Sequence, residues 1–199
     1  MDKVKLPYGN EYYELPLENL GSTEVATPRP PDTSIPPEEF ITEALDSPTN
    51  FHSLAEAIRG KSSAAVVIPD VTRYSGAYIY LPLIVKRLVE AGVREENITL
   101  FIALGIHRKM TEDEVAAVTG GLSKRLEVVQ HDPDGNITFI GKTSRGTPVW
   151  INSRLLEKEA VIITGTASFH YFAGFGGGRK MLVPGLAGRE TCYRTHFRI

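Results

Sequence analysis

Residues 64–107 read AAVVIPDVTRYSGAYIYLPLIVKRLVEAGVREENITLFIALGIH, and the order of patterns in this stretch sets the fold class. Ala64-Ala65-Val66-Val67-Ile68 is a continuous apolar run halted by Pro69-Asp70, as expected of a strand buried on both faces. From Leu81 to Ala91 the spacing turns helical. Leu81, Ile84, Val85, Leu88 and Val89 share one face, and Gly92 supplies the stop. Ile98 to Leu104 is a second apolar strand, ending in Gly105-Ile106-His107.

The alternation continues on both sides. Thr111-Glu112-Asp113-Glu114 is a capping box that predicts a helix running to Gly120. Short strands are expected at 126–130, 136–141 and 147–151, and a short helix at 153–159. Val161 to Thr164 reads as another buried strand leading into Gly165-Thr166-Ala167-Ser168-Phe169-His170. A glycine-rich turn and a helix over about 188–197 follow. Upstream, helices are expected from Glu38 to Asp46 and from Phe51 to Arg59, the latter ended by Gly60. Residues 27–37 carry five prolines, too many for a helix or central strand, and read as a surface linker. Residues 3–17 alternate around Tyr8-Gly9-Asn10, a hairpin pattern. The expected fold is α/β: a mainly parallel, Rossmann-like central sheet flanked by helices, with a small N-terminal β-hairpin.

Composition narrows the function. The 199 residues are 42% hydrophobic, with 22 basic and 24 acidic side chains and no block of like charge. Neither nucleic acid nor an anionic membrane is expected as a partner. Cys192 is the sole cysteine, which excludes an intrachain disulfide and a CxxC metal site and suits a reducing compartment. The opening residues lack the apolar run of a signal peptide, and no stretch approaches roughly 18 apolar residues. A cytoplasmic location is the expectation.

Reactive side chains gather at strand ends, where ligands of open α/β sheets bind. Asp70 and Arg73 follow one strand, His107 and Arg108 the next, and His170 the last. Each also has a plain structural reading. Asp70 can cap a turn with Arg73 as its partner or a solvated charge, His107 can be a surface histidine, and His170 can be packed among its aromatic neighbours. His52 and His131 read as structural.

Gly174, Gly176, Gly177 and Gly178, followed by Arg179-Lys180, form a cluster that costs backbone entropy and suits close approach to a ligand such as a phosphate. It is not a Walker A loop, because no Lys-Ser/Thr pair follows, and GxGxxG spacing is absent. His196 lies one helical turn beyond Cys192. Two ligands alone rarely hold zinc, so a buried Cys beneath a surface His is the commoner outcome.

The stretch from His170 to Gly185, HYFAGFGGGRKMLVPG, with Gly188-Arg189-Glu190-Thr191 and His196 beyond it, resembles the lactate racemase family that uses a nickel-pincer nucleotide. Asp70-Val71-Thr72-Arg73 and Gly105-Ile106-His107 resemble that family's other two signatures, in the same order. The resemblance spans residues 1–199 and corresponds to the N-terminal cofactor-binding domain of a longer protein.

It implies an isomerase that racemises or epimerises a lactate-like 2-hydroxy acid by hydride transfer to and from the cofactor. That cofactor is pyridinium-3-thioamide-5-thiocarboxylic acid mononucleotide carrying nickel. Lys180 would hold it covalently, His196 would ligate nickel, and Gly174, Gly176, Gly177, Gly178 and Arg179 would seat its phosphate. His107 and His170 would be paired general acid/bases, Arg73 would hold and polarise the substrate carboxylate or nascent ketone, and Asp70 would orient the cluster. Cofactor-synthesis proteins are implied partners. The family's C-terminal domain is not within these residues, so on their own they are expected to bind little and catalyse nothing. Two other readings stand beside this one. One is a non-catalytic nucleotide- or anion-binding module that needs a partner chain or the C-terminal domain. The other is a phosphate-ester enzyme.

Overall fold

The computed structural model describes residues 3–18, 21, 22, 24, 33–170 and 173–196, with the backbone alone at residue 196. Contacts divide the chain into two units, Met1–Ser34 and Ile35–Ile199. The first unit holds a hairpin of β1 (Lys3–Tyr8) and β2 (Glu11–Pro16), paired antiparallel through the two-residue turn that Gly9-Asn10 predicts. Of the proline-rich stretch, residues 27–32 lie outside the described residues.

The second unit begins with α1 (Pro37–Asp46), which has proline at its first position, where no N–H is needed. The short α2 (Leu54–Ala57) departs from the sequence expectation of a helix from Phe51 to Arg59. Ser53 sets its start: the hydroxyl accepts from the Glu56 N–H while the Glu56 carboxylate accepts from the Ser53 N–H, a capping box. Then come β3 (Ala64–Pro69), α3 (Ala77–Glu90), β4 (Ile98–Ala103), α4 (Glu112–Thr119) and β5 (Glu127–Gln130). The Thr111/Glu114 capping box opens α4, and Gly120, in the left-handed conformation, closes it.

β6 (Ile137–Lys142) and β7 (Pro148–Asn152) pair antiparallel as a separate two-stranded sheet rather than joining the central one. The helix expected over 153–159 is the single turn α5 (Ser153–Leu156). β8 (Ala160–Ile163) completes the central sheet. A small antiparallel pair, β9 (Phe169–His170) and β10 (Gly174–Phe175), follows it. A 3₁₀ turn at Gly178–Met181 and α6 (Arg189–His196) end the described chain.

The central sheet is parallel, with strand order β5-β4-β3-β8. β3 and β4 are buried at every residue, which explains their unbroken apolar runs. Alternate side chains feed two cores. On one face Val66, Ile68, Leu100 and Ile102 pack with Leu81, Ile84 and Leu88 of α3. On the other, Ala65, Val67 and Phe101 pack with Ile151 of β7, Leu155 of α5, and Met181, Leu186 and Cys192. The chain leaves β3 toward β4 on one side and returns as β8 on the other. The direction of winding therefore reverses between β3 and β8, which opens a crevice beyond their carboxyl ends.

Candidate active site

That crevice is a cavity of about 510 Å³. Asp70, Arg73, His107, His170, Gly176, Gly177 and Lys180 all line it, so the three strand ends singled out from sequence converge on one space. Gly174, Gly178 and Arg179 do not line it. Gly174 instead pairs with His170 within the β9–β10 hairpin. The side chain of His196 lies outside the described residues. Among those residues no cluster of three or more metal-ligating side chains occurs.

Local chain geometry explains the placements. At the end of β3, Asp70 is only 3% exposed. Its Oδ1 accepts from the Thr72 N–H (2.8 Å) and the Thr72 hydroxyl (2.5 Å), and its carbonyl accepts from the Arg73 N–H (3.0 Å). These bonds turn the chain sharply and throw Arg73 to the crevice side. Beyond β4, Gly105 takes a positive φ, and its N–H donates to the Gly185 carbonyl at 2.8 Å. This contact brings the 178–188 segment against the strand end. The His107 N–H closes a turn onto the Leu104 carbonyl. Beyond β8, the Thr164 hydroxyl bonds the Val67 carbonyl (2.8 Å) and the Tyr80 hydroxyl (2.9 Å). The Thr166 hydroxyl donates to the Tyr74 carbonyl (2.8 Å), tying the β3 and β8 loops across the crevice.

Two contacts define the histidines. His107 Nδ1–H donates to Asp70 Oδ2 at 2.5 Å, while the His107 ring is 46% exposed. With Nδ1 protonated, the neutral ring carries its lone pair on Nε2. His170 differs, because its Nδ1 accepts the Ala173 N–H at 3.3 Å and its neutral ring therefore carries the proton on Nε2.

The electrostatics favour an anion. Neither Arg73 nor Lys180 has a carboxylate partner among the described residues, although both line the cavity. Burial lowers the Lys180 pKa, and the nearby Arg73 charge lowers it further. Gly177 sits at φ 72° and ψ −168°, where a Cβ would stand 2.7 Å from the Thr166 carbonyl oxygen. The close pass of these two loops thus requires glycine.

Sequence reading missed Thr72, whose hydrogen bonds to Asp70 are foreshadowed by the Asp-x-Thr spacing of an Asx turn. The reading of His131 as structural holds. His131 is 1% exposed. Its Nε2–H donates to the Ala187 carbonyl (2.9 Å), and its Nδ1 accepts from the Asn152 amide (3.3 Å). That pins β5, β7 and the approach to α6 together. Cys192 is buried, which raises its thiol pKa to about 11 and leaves it a packing residue.

Known proteins resemble this chain in sequence and fold. The lactate racemase of Lactiplantibacillus plantarum is 28% identical over 201 residues, covering 98% of this chain and 47% of the relative. The lactate racemase of Thermoanaerobacterium thermosaccharolyticum matches with the same identity and coverage. The solved apoprotein of the latter superposes with a TM-score of 0.79 at 27% identity, covering 96% of this chain and 45% of that one. A solved protein from Thermotoga maritima superposes at 0.65 with 25% identity, covering 80% and 40% of the two chains. The chain thus spans about half the length of the curated relatives it matches. A family profile described as the lactate racemase N-terminal domain matches residues 8–199, nearly the whole sequence, and this chain belongs to that family.

Proposed function

We propose that this chain is the cofactor-bearing part of a racemase or epimerase acting on a small, lactate-like 2-hydroxy acid. One observation carries the reading: an Asp-oriented histidine shares a cavity with two cationic side chains that have no carboxylate partner among the described residues. A 2-hydroxy acid offers the complementary pair of groups, a carboxylate for a cation and an adjacent hydroxyl for a base.

The residues present suit a covalently held, phosphate-bearing cofactor. Lys180 lines the cavity, and the lowered pKa of its amine raises the share of the neutral form, the one that bonds covalently. Gly176 and Gly177 line the same cavity. By the family resemblance, Lys180 would hold a nickel-pincer nucleotide and His196 would ligate its nickel. When bound, that group supplies the two-electron acceptor for the hydrogen at C2 of the substrate.

The protein's own part is positional and protonic. Arg73 holds the substrate carboxylate, with a planar fork of donors that matches it. His107 accepts the hydroxyl proton at Nε2, and Asp70 stabilises the imidazolium that forms. His170 serves the opposite face, and must release the Ala173 contact or shift its proton to act as a base. The two histidines are therefore inequivalent in the resting site.

The test uses the full-length protein produced with and without cofactor-synthesis enzymes. Expected are a covalent mass increase mapping to Lys180, bound nickel, and interconversion of lactate-like enantiomers, all lost without those enzymes. Anion binding with no Lys180 adduct and no nickel would favour a non-catalytic module instead.

A further inference from the structure

We infer that Thr72 is a positioning residue: it locks the Asp70 carboxylate so that His107 presents an unprotonated Nε2 to the cavity. Its catalytic meaning rests on the racemase reading, but the structural claim does not. The His107 ring is nearly half exposed, and its one hydrogen bond among the described residues is the contact to Asp70 Oδ2. No other described residue selects its tautomer. An exposed imidazole left to water samples both tautomers, so the direction in which Asp70 points decides which nitrogen bears the lone pair.

Among the described residues, Asp70 in turn is held at its other oxygen by Thr72. Oδ1 accepts the Thr72 N–H at 2.8 Å and the Thr72 hydroxyl at 2.5 Å. One donor would be a pivot about which the carboxylate can swing. Two donors converging on one oxygen fix its plane and leave Oδ2 directed at His107. The hydroxyl has a single proton, already committed to Asp70, so Thr72 is not a substrate donor although it lines the cavity. A β-branched side chain suits this task, because its χ1 is restricted before the bond is made.

The experiment is ¹⁵N NMR of histidine-labelled full chain, without cofactor or substrate, at a pH where His107 is neutral. His107→Gln assigns the signals. The wild-type protein should show one protonated Nδ1 and one unprotonated Nε2 at His107. Thr72→Val and Thr72→Ala both remove the hydroxyl, so either serves if the other fails to fold. Either should move the two nitrogens toward averaged values, whereas Thr72→Ser should restore the wild-type pattern. In the cofactor-loaded enzyme, the hydroxyl-less variants should lose about tenfold in kcat, the equivalent of one hydrogen bond to a charged group, with KM little changed. An unchanged tautomer pattern in Thr72→Val or Thr72→Ala, or an averaged one in Thr72→Ser, overturns the inference. Because the spectra need no turnover, such a result would leave the racemase reading intact. Failure of racemisation would likewise leave the tautomer result standing.

Discussion

Asp70→Asn keeps the volume of the side chain and removes its charge. The new amide can still accept both Thr72 donors through its oxygen, but it then turns an NH₂ group toward His107 Nδ1. Two donors cannot face each other at 2.5 Å, so the imidazole must move its proton to Nε2 and lose the basic nitrogen in the cavity. A positioned general base contributes about 10²–10⁴ in rate, or roughly 2.7–5.4 kcal/mol of barrier. The stability cost is smaller. Hydrogen bonds to a charged group are worth about 1.5–3 kcal/mol against about 0.5–1.5 for neutral pairs, and losing them is offset by no longer burying a carboxylate. A change on the order of 1 kcal/mol is expected. Polarimetry of a single lactate enantiomer with cofactor-loaded enzyme, beside urea unfolding of the same preparation, separates the two effects. Activity within threefold of wild type would refute the reasoning, as would a stability loss large enough to account for the lost activity.

Three further outcomes follow from the geometry. Gly177→Ala places a methyl against the Thr166 carbonyl at a φ/ψ combination nearly confined to glycine, and should lower the unfolding free energy by about 1–3 kcal/mol in urea melts. Phe101→Ala empties the centre of the second core, and the same melts should show a loss of about 3–5 kcal/mol. Burial holds His131 below its ordinary 6.5, so the unfolded chain takes up that proton first. Its contribution is complete above about pH 6.5 and is lost as pH falls toward the lowered native value, at up to about 1.4 kcal/mol per pH unit. His131→Gln should flatten the dependence of unfolding free energy on pH between 6.5 and 5.5, and an unchanged slope would contradict this.

The middle of the central sheet was legible because β3 and β4 are buried on both faces, whereas β8, expected to be buried, is half-buried with Val161 exposed. Runs such as Ala64–Ile68 and Ile98–Leu104 leave no polar position to confuse strand with loop, and the helix between them carries a clean apolar stripe. The Thr111-x-x-Glu114 box was equally readable, since capping is local chemistry. Ser53-x-x-Glu56 carries the same signal, but the apolar Phe51 set the expected helix start three residues too early, onto a residue that is 72% exposed. The β6–β7 pair was visible as strands. Its separation from the parallel sheet was not, because which edge a strand joins depends on long-range packing rather than on its own residues.

For the site, position at strand ends was enough to bring Asp70, Arg73, His107 and His170 to one cavity. Hydrogen-bond direction was beyond the sequence. That His107 donates through Nδ1 while His170 accepts there depends on the neighbours Asp70 and Ala173 in three dimensions. That neither Arg73 nor Lys180 has a carboxylate partner among the described residues depends likewise on which carboxylates the fold brings near them.

The most direct test follows the hydrogen at C2. Full-length, cofactor-loaded enzyme is given one enantiomer of lactate deuterated at C2, in ordinary water, and the opposite enantiomer is isolated and weighed by mass spectrometry. If that hydrogen leaves and returns with its electron pair, sheltered in the cavity between Arg73, His107, His170 and Lys180, the product keeps its deuterium. Enantiomers that interconvert with deuterium washed out to solvent, or that do not interconvert at all, would contradict the account.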